Sequence, residues 1–234
     1  MTARGQRDDR RPARPRLVVF DCDGTLVDSQ ATILASMAAA WSEAGLVPPA
    51  PERVRAIIGL SLEEAMQRLA GEAAPARLRA LADGYRRAFK QCLARPQHED
   101  PLYPGVVETL AGLARDQVRL AVATGKGMAG LKATLGQHDL LDRFISLQTA
   151  DRARGKPHPE MLHNAMRDAR VGPERTLVVG DTVHDMQMAA NGGVAAIGVR
   201  WGYHASADLT RAGARVVIDS MAALPGAVDR LTPP

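Results

Sequence analysis

Six short aliphatic runs constrain this chain more than any other feature: Leu17–Asp21, Leu120–Thr124, Phe144–Leu147, Thr176–Gly180, Ala196–Val199 and Val216–Ile218. They alternate only weakly between apolar and polar, which is how strands covered on both faces read. From about residue 104 onward, helical patterns separate them. In YPGVVETLAGLARD, Val106, Val107, Leu110, Leu113 and Ala114 share one helical face. In PEMLHNAMRDA, Met161, Leu162, Ala165, Met166 and Ala169 do the same. This alternation predicts an α/β fold, a doubly wound parallel sheet of Rossmann-like type. The stretch from about 30 to 100 breaks the rhythm. It carries helical patterns only, over 30–44, 52–58, 61–70 and 76–93, interrupted by VPPAP and Pro75. The expected organisation is a disordered basic tail over 1–15, an α/β core from 16–28 and 101–234, and a helical cap inserted over 29–100, with the two crossings as hinges.

Charge and composition then exclude several classes. The formal charge of +4 would suggest a polyanion partner if it were spread over a face. Residues 1–16 hold six arginines against Asp8 and Asp9, which accounts for all of it, and such a tail reads as unstructured. Aromatic residues make up only 3%, so few rings can stack on unpaired bases and no nucleic-acid partner is expected. The tail has no apolar stretch of the secretory kind, and nowhere do about 18 apolar residues run uninterrupted, so no membrane span is expected. The two cysteines, Cys22 and Cys92, are far apart in sequence, which fits a reducing cytoplasm.

The first run ends in Asp21-Cys22-Asp23-Gly24. Side chains at i and i+2 of a strand share a face, so both carboxylates are expected to project together from the strand's C-terminal end, with Cys22 buried the other way. Open α/β sheets bind ligands at that edge. An EF-hand reading fails, because residue 32, twelfth from Asp21, is threonine rather than glutamate. Two close carboxylates repel, so the pair calls for a metal or a lysine nearby, or for a mechanistic reason to share a proton. Other strand ends supply candidates: Thr124, Gly125 and Lys126 in VATGKG, Lys156 before Pro157, and Asp181 with Asp185 in GDTVHD. Taken singly they are ordinary. Thr124 reads as a turn residue, Lys156 as a solvated loop charge, and Asp181 as a helix N-cap. VATGKG is no Walker A loop, because neither the upstream glycine nor the following hydroxyl residue is present. His184 reads as a solvated first-turn residue, and Trp201 and Tyr203 as packing residues.

Together, DCDGTLVDS, Thr124, Lys156-Pro157 and GDTVHD, in that order and with a cap-sized insertion after the first, resemble the four motifs of the haloacid dehalogenase superfamily. The likeness spans roughly residues 16–222 and is nearest the phosphoglycolate-phosphatase-like branch. The resemblance implies Mg²⁺-dependent hydrolysis of a small phosphorylated metabolite, with 2-phosphoglycolate one candidate, by a monomer or homodimer. Asp21 would be the nucleophile and form an aspartyl phosphate. Asp23 would protonate the leaving alcohol and then activate water. Thr124, Gly125 and Lys156 would bind the phosphoryl oxygens. Asp21, the Asp23 carbonyl and Asp181 would hold Mg²⁺, with Asp185 direct or through water. An aspartate at 23 favours phosphate esters over C–Cl or C–P bonds, because a leaving alkoxide needs a proton. Many relatives carry asparagine where this chain has Gly125. The cap loop IIGLSLEE has an uncharged tip, Gly59-Leu60-Ser61, which otherwise reads as a turn with Ser61 and Glu64 in a capping box. Arg55, Arg86, Arg87 and Lys90 are the cap cations available to a substrate carboxylate. A sugar phosphomutase is the alternative, weakened by Leu62 where mutases carry arginine. A non-catalytic binding module is the third reading.

Overall fold

The computed structural model describes residues 15–95, 98 and 100–233; the expected tail lies outside the described residues apart from Pro15. Six parallel strands form one sheet in the order β3-β2-β1-β4-β5-β6. They are β1 (Arg16–Phe20), β2 (Val118–Thr124), β3 (Ser146–Thr149), β4 (Thr176–Gly180), β5 (Ala195–Val199) and β6 (Ala214–Ile218). Helices α1 (Gln30–Glu43), α2 (Pro51–Arg55), α3 (Leu62–Ala70) and α4 (Pro75–Leu93) lie between β1 and β2 in the chain. The others are α5 (Val106–Arg115), α6 (Met128–Gln137), α7 (Glu160–Ala169), α8 (Val183–Asn191), α9 (Ser206–Arg211) and α10 (Leu224–Leu231).

The period of two in β1 divides the core. Val18 and Phe20 join the side chains of α5, α6 and α10 on one face of the sheet. Leu17 and Val19 join those of α7, α8 and α9 on the other. The α7 face expected from sequence is buried in full. The α5 face is narrower than expected: Val107 is 42% exposed and Ala114 is exposed, while Thr109 is buried instead. The third strand also begins two residues later than its aliphatic run. Phe144 enters the core from the preceding loop, and the strand proper, SLQT, is polar. It pairs only with β2, and an edge strand tolerates such residues.

Helices α1–α4 enclose a separate apolar cluster that includes Met37, Trp41, Met66, Leu81 and Phe89. The chain leaves and re-enters the sheet along paired segments, with Val27 bridged to Leu102 in antiparallel fashion. The Asp28 N–H donates to the Pro101 carbonyl at 2.8 Å and the Tyr103 N–H to that of Leu26 at 3.0 Å. No described helix is long and apolar enough to cross a membrane.

Candidate active site

The strand order places β1 and β4 side by side where the winding reverses, and the crevice at their C-terminal ends is where such sheets bind ligands. Asp21 follows β1 and Asp181 follows β4, and the Asp21 N–H extends the ladder to the Val179 carbonyl at 2.9 Å. Asp185 sits in the first turn of α8. It forms a capping box in which its Oδ2 accepts from the N–H and the hydroxyl of Thr182, at 3.1 and 2.7 Å. The N-cap is thus Thr182, which leaves Asp181 free of the capping role that sequence alone suggested.

Asp21, Asp181 and Asp185 each offer an oxygen within 4.8 Å of the others, and all are buried. Lys156, also fully buried, reaches in from the loop before α7. Its Nζ lies 2.9 Å from Asp21 Oδ1 and 2.6 Å from Asp185 Oδ1. It is no solvated loop charge. One ammonium pairs with two of the three carboxylates, and burial is the largest cause of the shifts in their titration. Burial pushes the Asp21 carboxyl up to about 7, Lys156 opposing and Asp185 adding to the rise. Burial, with Asp21 and Asp185 beside it, holds Asp181 well above the usual carboxylate range. Burial works against the Lys156 ammonium, but Asp185 and Asp21 outweigh it and raise its pKa.

Asp181 is oriented by the Thr25 hydroxyl at 2.9 Å and the Tyr203 N–H at 2.9 Å. Gly24, at φ +82°, brings the turn so close that a Cβ there would overlap the Asp181 carboxylate. Asp21 Oδ2 finds no hydrogen-bond partner among the described residues. The donor set therefore fits a hard divalent cation: oxygen atoms only, an excess of negative charge, and an unpartnered buried oxygen.

Asp23 differs from the sequence expectation. Strand β1 stops at Phe20, and the chain folds back so that the Leu26 and Val27 N–H groups both bond the Cys22 carbonyl. Asp21 and Asp23 line one cavity, but the Asp23 carboxylate stands outside the acidic cluster. It accepts a hydrogen bond from Ser29 and lies 3.0 Å from the Nζ of Lys126. Cys22 points into the core as expected.

Lys126, a strand-end candidate in sequence to which the family resemblance gives no role, lies beside Asp23. Its ammonium also sits 4.3 Å from the centroid of the Phe89 ring on α4. Burial disfavours that charge, yet Asp23 raises its pKa overall. Thr124 ends β2, and its Oγ1 accepts from the Lys126 N–H at 3.2 Å.

The turn Gly59-Leu60-Ser61 lies directly over these strand ends. A Cβ on Gly125 would overlap the Leu60 carbonyl, and one on Gly59 would come within 3.0 Å of Thr182 Oγ1. The missing asparagine thus leaves room for the turn. Ser61 does cap α3, accepting from the Glu64 N–H at 3.3 Å, but the Glu64 side chain pairs with Arg68 rather than closing a box. His184 is a further correction. It is 5% exposed and packs edge-on against His204, with ring centroids 5.7 Å apart. Burial, reinforced by His204, lowers its pKa. Of the four cap cations, only Arg86 and Lys90 line the cavity.

A family model described as "Haloacid dehalogenase-like hydrolase" matches residues 18–199. The chain is 39% identical over 217 residues to "Probable phosphatase IndB" of Dickeya dadantii, covering 92% of this chain and 94% of that protein. It is 33% identical over 222 residues to a phosphoglycolate phosphatase of Pseudomonas putida, covering 93% of this chain and 82% of the relative. Among solved structures, a hydrolase from Pseudomonas syringae superposes with a TM-score of 0.83 at 25% identity, over 94% of this chain and 100% of the other.

Proposed function

The chain belongs to the haloacid dehalogenase-like hydrolases and is a phosphatase of phosphoglycolate-phosphatase-like type, and on that premise we propose that it cleaves small phosphomonoesters through an aspartyl-phosphate intermediate. The observation that carries this mechanism is the division of labour between two aspartates one residue apart. Asp21 keeps an unpartnered oxygen inside the acidic cluster, while Asp23 is held outside it by Ser29 and Lys126.

In this reading the Asp21 carboxylate attacks phosphorus and the ester P–O bond breaks. The Asp23 carboxyl gives its proton to the departing alkoxide, then takes one from the water that attacks the phosphoaspartate. Thr124, the Gly125 N–H and Lys156 receive the phosphoryl oxygens as charge develops on them. Asp21, the Asp23 carbonyl and Asp181 would hold Mg²⁺, with Asp185 binding it directly or through water. The cation would neutralise carboxylates that otherwise repel a phosphate dianion and would draw charge from the phosphoryl group. The helical insertion over 29–100 acts as a cap that keeps bulk water from the intermediate.

The test is phosphate release from a panel of phosphomonoesters with Mg²⁺ and with chelator. Release is expected to need the cation and to fall by about 10⁴-fold or more in Asp21→Asn. An Asp21→Asn enzyme that keeps wild-type turnover would sink the mechanism.

A further inference from the structure

The cavity above Asp21 and Asp23 encloses about 710 Å³. That is within the range of roughly 300–1,000 Å³ for sites that enclose drug-sized ligands, and far more than 2-phosphoglycolate would fill. Its floor is polar: Asp21, Asp23, Thr124, Gly125 and Lys126. Its walls are not. Ile33 and Met37 come from α1, Ile57, Ile58 and Leu60 from the turn before α3, and Tyr85, Phe89 and Leu93 from α4. Tyr85 and Phe89 stack, with centroids 5.8 Å apart and planes 26° apart. Helix α6 contributes only Ala129, Gly130 and Ala133 to the lining, so small side chains stand among large apolar ones.

Cations are the second observation. A substrate carboxylate held near the transferring phosphate would be taken out of water and would need a positive partner. Among the lining residues, Lys126 is engaged by Asp23 and lies over the Phe89 ring. Arg86 is paired with both Glu63 and Asp83. Lys90 forms no ion pair among the described residues, but it is exposed on α4. The buried part of the cavity offers no uncommitted positive charge above the floor.

We propose that this cavity selects phosphomonoesters of bulky apolar alcohols, aromatic or extended aliphatic, and disfavours 2-phosphoglycolate. The phosphate would lie on the polar floor and the carbon skeleton along the apolar wall, where its burial is favourable and no charge goes unpaired. This rests on the phosphatase reading above.

The experiment compares kcat/KM for ethyl, hexyl and 2-phenylethyl phosphate and for 2-phosphoglycolate, with Mg²⁺. The first three leave as similar primary alkoxides, so differences report the cavity rather than leaving-group strength. Hexyl and 2-phenylethyl phosphate are expected to exceed both ethyl phosphate and 2-phosphoglycolate by about 100-fold. In Ala129→Trp, which crowds the cavity from α6, the preference for 2-phenylethyl over ethyl phosphate is expected to fall about tenfold. Equal rates along the series, or 2-phosphoglycolate as the best substrate, would overturn the selectivity and leave the phosphatase reading standing. Calorimetry with 2-phenylethylphosphonate and ethylphosphonate, which cannot be hydrolysed, separates the two ideas. If no ester turns over but the larger phosphonate binds more tightly, the selectivity holds and the mechanism fails. If neither phosphonate is preferred, the selectivity fails as well.

Discussion

The two sides of the active-site cavity are made of opposite materials. The strand-end side is polar: Asp21 lines the cavity and stands in a cluster of four buried charged groups with Asp181, Asp185 and Lys156. The helical side presents aliphatic and aromatic groups that belong to the apolar cluster of α1–α4. Each side fails at the other's task. A floor of like charges opposes its own folding, while a wall of hydrocarbon has nothing to attack phosphorus with. On the proposed function, the difference teaches that rate and selectivity would come from separate stretches of chain, which meet at very few residues. Lys126 is one, joining Asp23 on the floor to Phe89 on the wall. Gly125 is another, where the floor touches the Leu60 carbonyl.

The largest effect that would sharpen this contrast comes from Lys126→Met. It removes the ammonium beside Asp23 but keeps the hydrocarbon stem. Turnover of alkyl phosphates is expected to fall about 100-fold, because the proton transfer to the alkoxide is impaired. The loss is expected to shrink with 4-nitrophenyl phosphate, whose leaving group needs no proton. Steady-state kinetics with both substrates reads the difference, and an equal loss with both would break the assignment of Lys126 to the Asp23 side.

Gly125→Ala comes next. The added methyl must displace the turn at Leu60, so KM is expected to rise about tenfold, with kcat less affected. The overpacking should cost about 1–3 kcal/mol in chemical denaturation. An unchanged KM would mean that the turn contributes nothing to binding.

The smallest effect concerns the floor's cost. Without metal, Asp21 ionises near 7 in the folded protein against 3.8 for the ordinary group. The unfolded chain therefore loses this proton first as pH rises. The folded state loses stability between about pH 4 and pH 7 and carries the full penalty above. Asp21→Asn removes that penalty. In chelator at pH 8 its Tm is expected to exceed wild type by about 5 °C, and at pH 4 the advantage should vanish. Differential scanning calorimetry at the two pH values decides it. A variant less stable than wild type at pH 8 would show that the Lys156 pairing outweighs the repulsion.

Much of the sheet was legible because buried parallel strands announce themselves as aliphatic runs, and all six lie at most two residues from their expected starts. The strand near 146 alone starts later than its run, because an edge strand has less need of apolar residues and its neighbour Phe144 does the core's work from a loop. Of the candidate residues, Asp21, Thr124 and Asp181 were legible because each ends or follows a strand, whereas Lys156, in the loop before α7, and Asp185, in the first turn of α8, stood out only through the four-motif resemblance. What sequence could not supply was pairing across elements. Lys126 acquires its meaning only from Asp23 on one side and Phe89 on the other. His184 was taken for a solvated residue because nothing local reveals that His204 packs on it. The i, i+2 rule overreached at Asp23 because the strand had already ended.

Gly125 has one more consequence. The Leu60 carbonyl occupies the space a side chain at 125 would need, so a larger residue there cannot come without a move of the turn. A lineage that acquires a larger residue at 125 must also reshape the 59–61 turn, and one that reshapes the turn first has space for a side chain there. Across descendants of this chain, the two segments should drift as one inherited unit, although some 65 residues of sequence separate them.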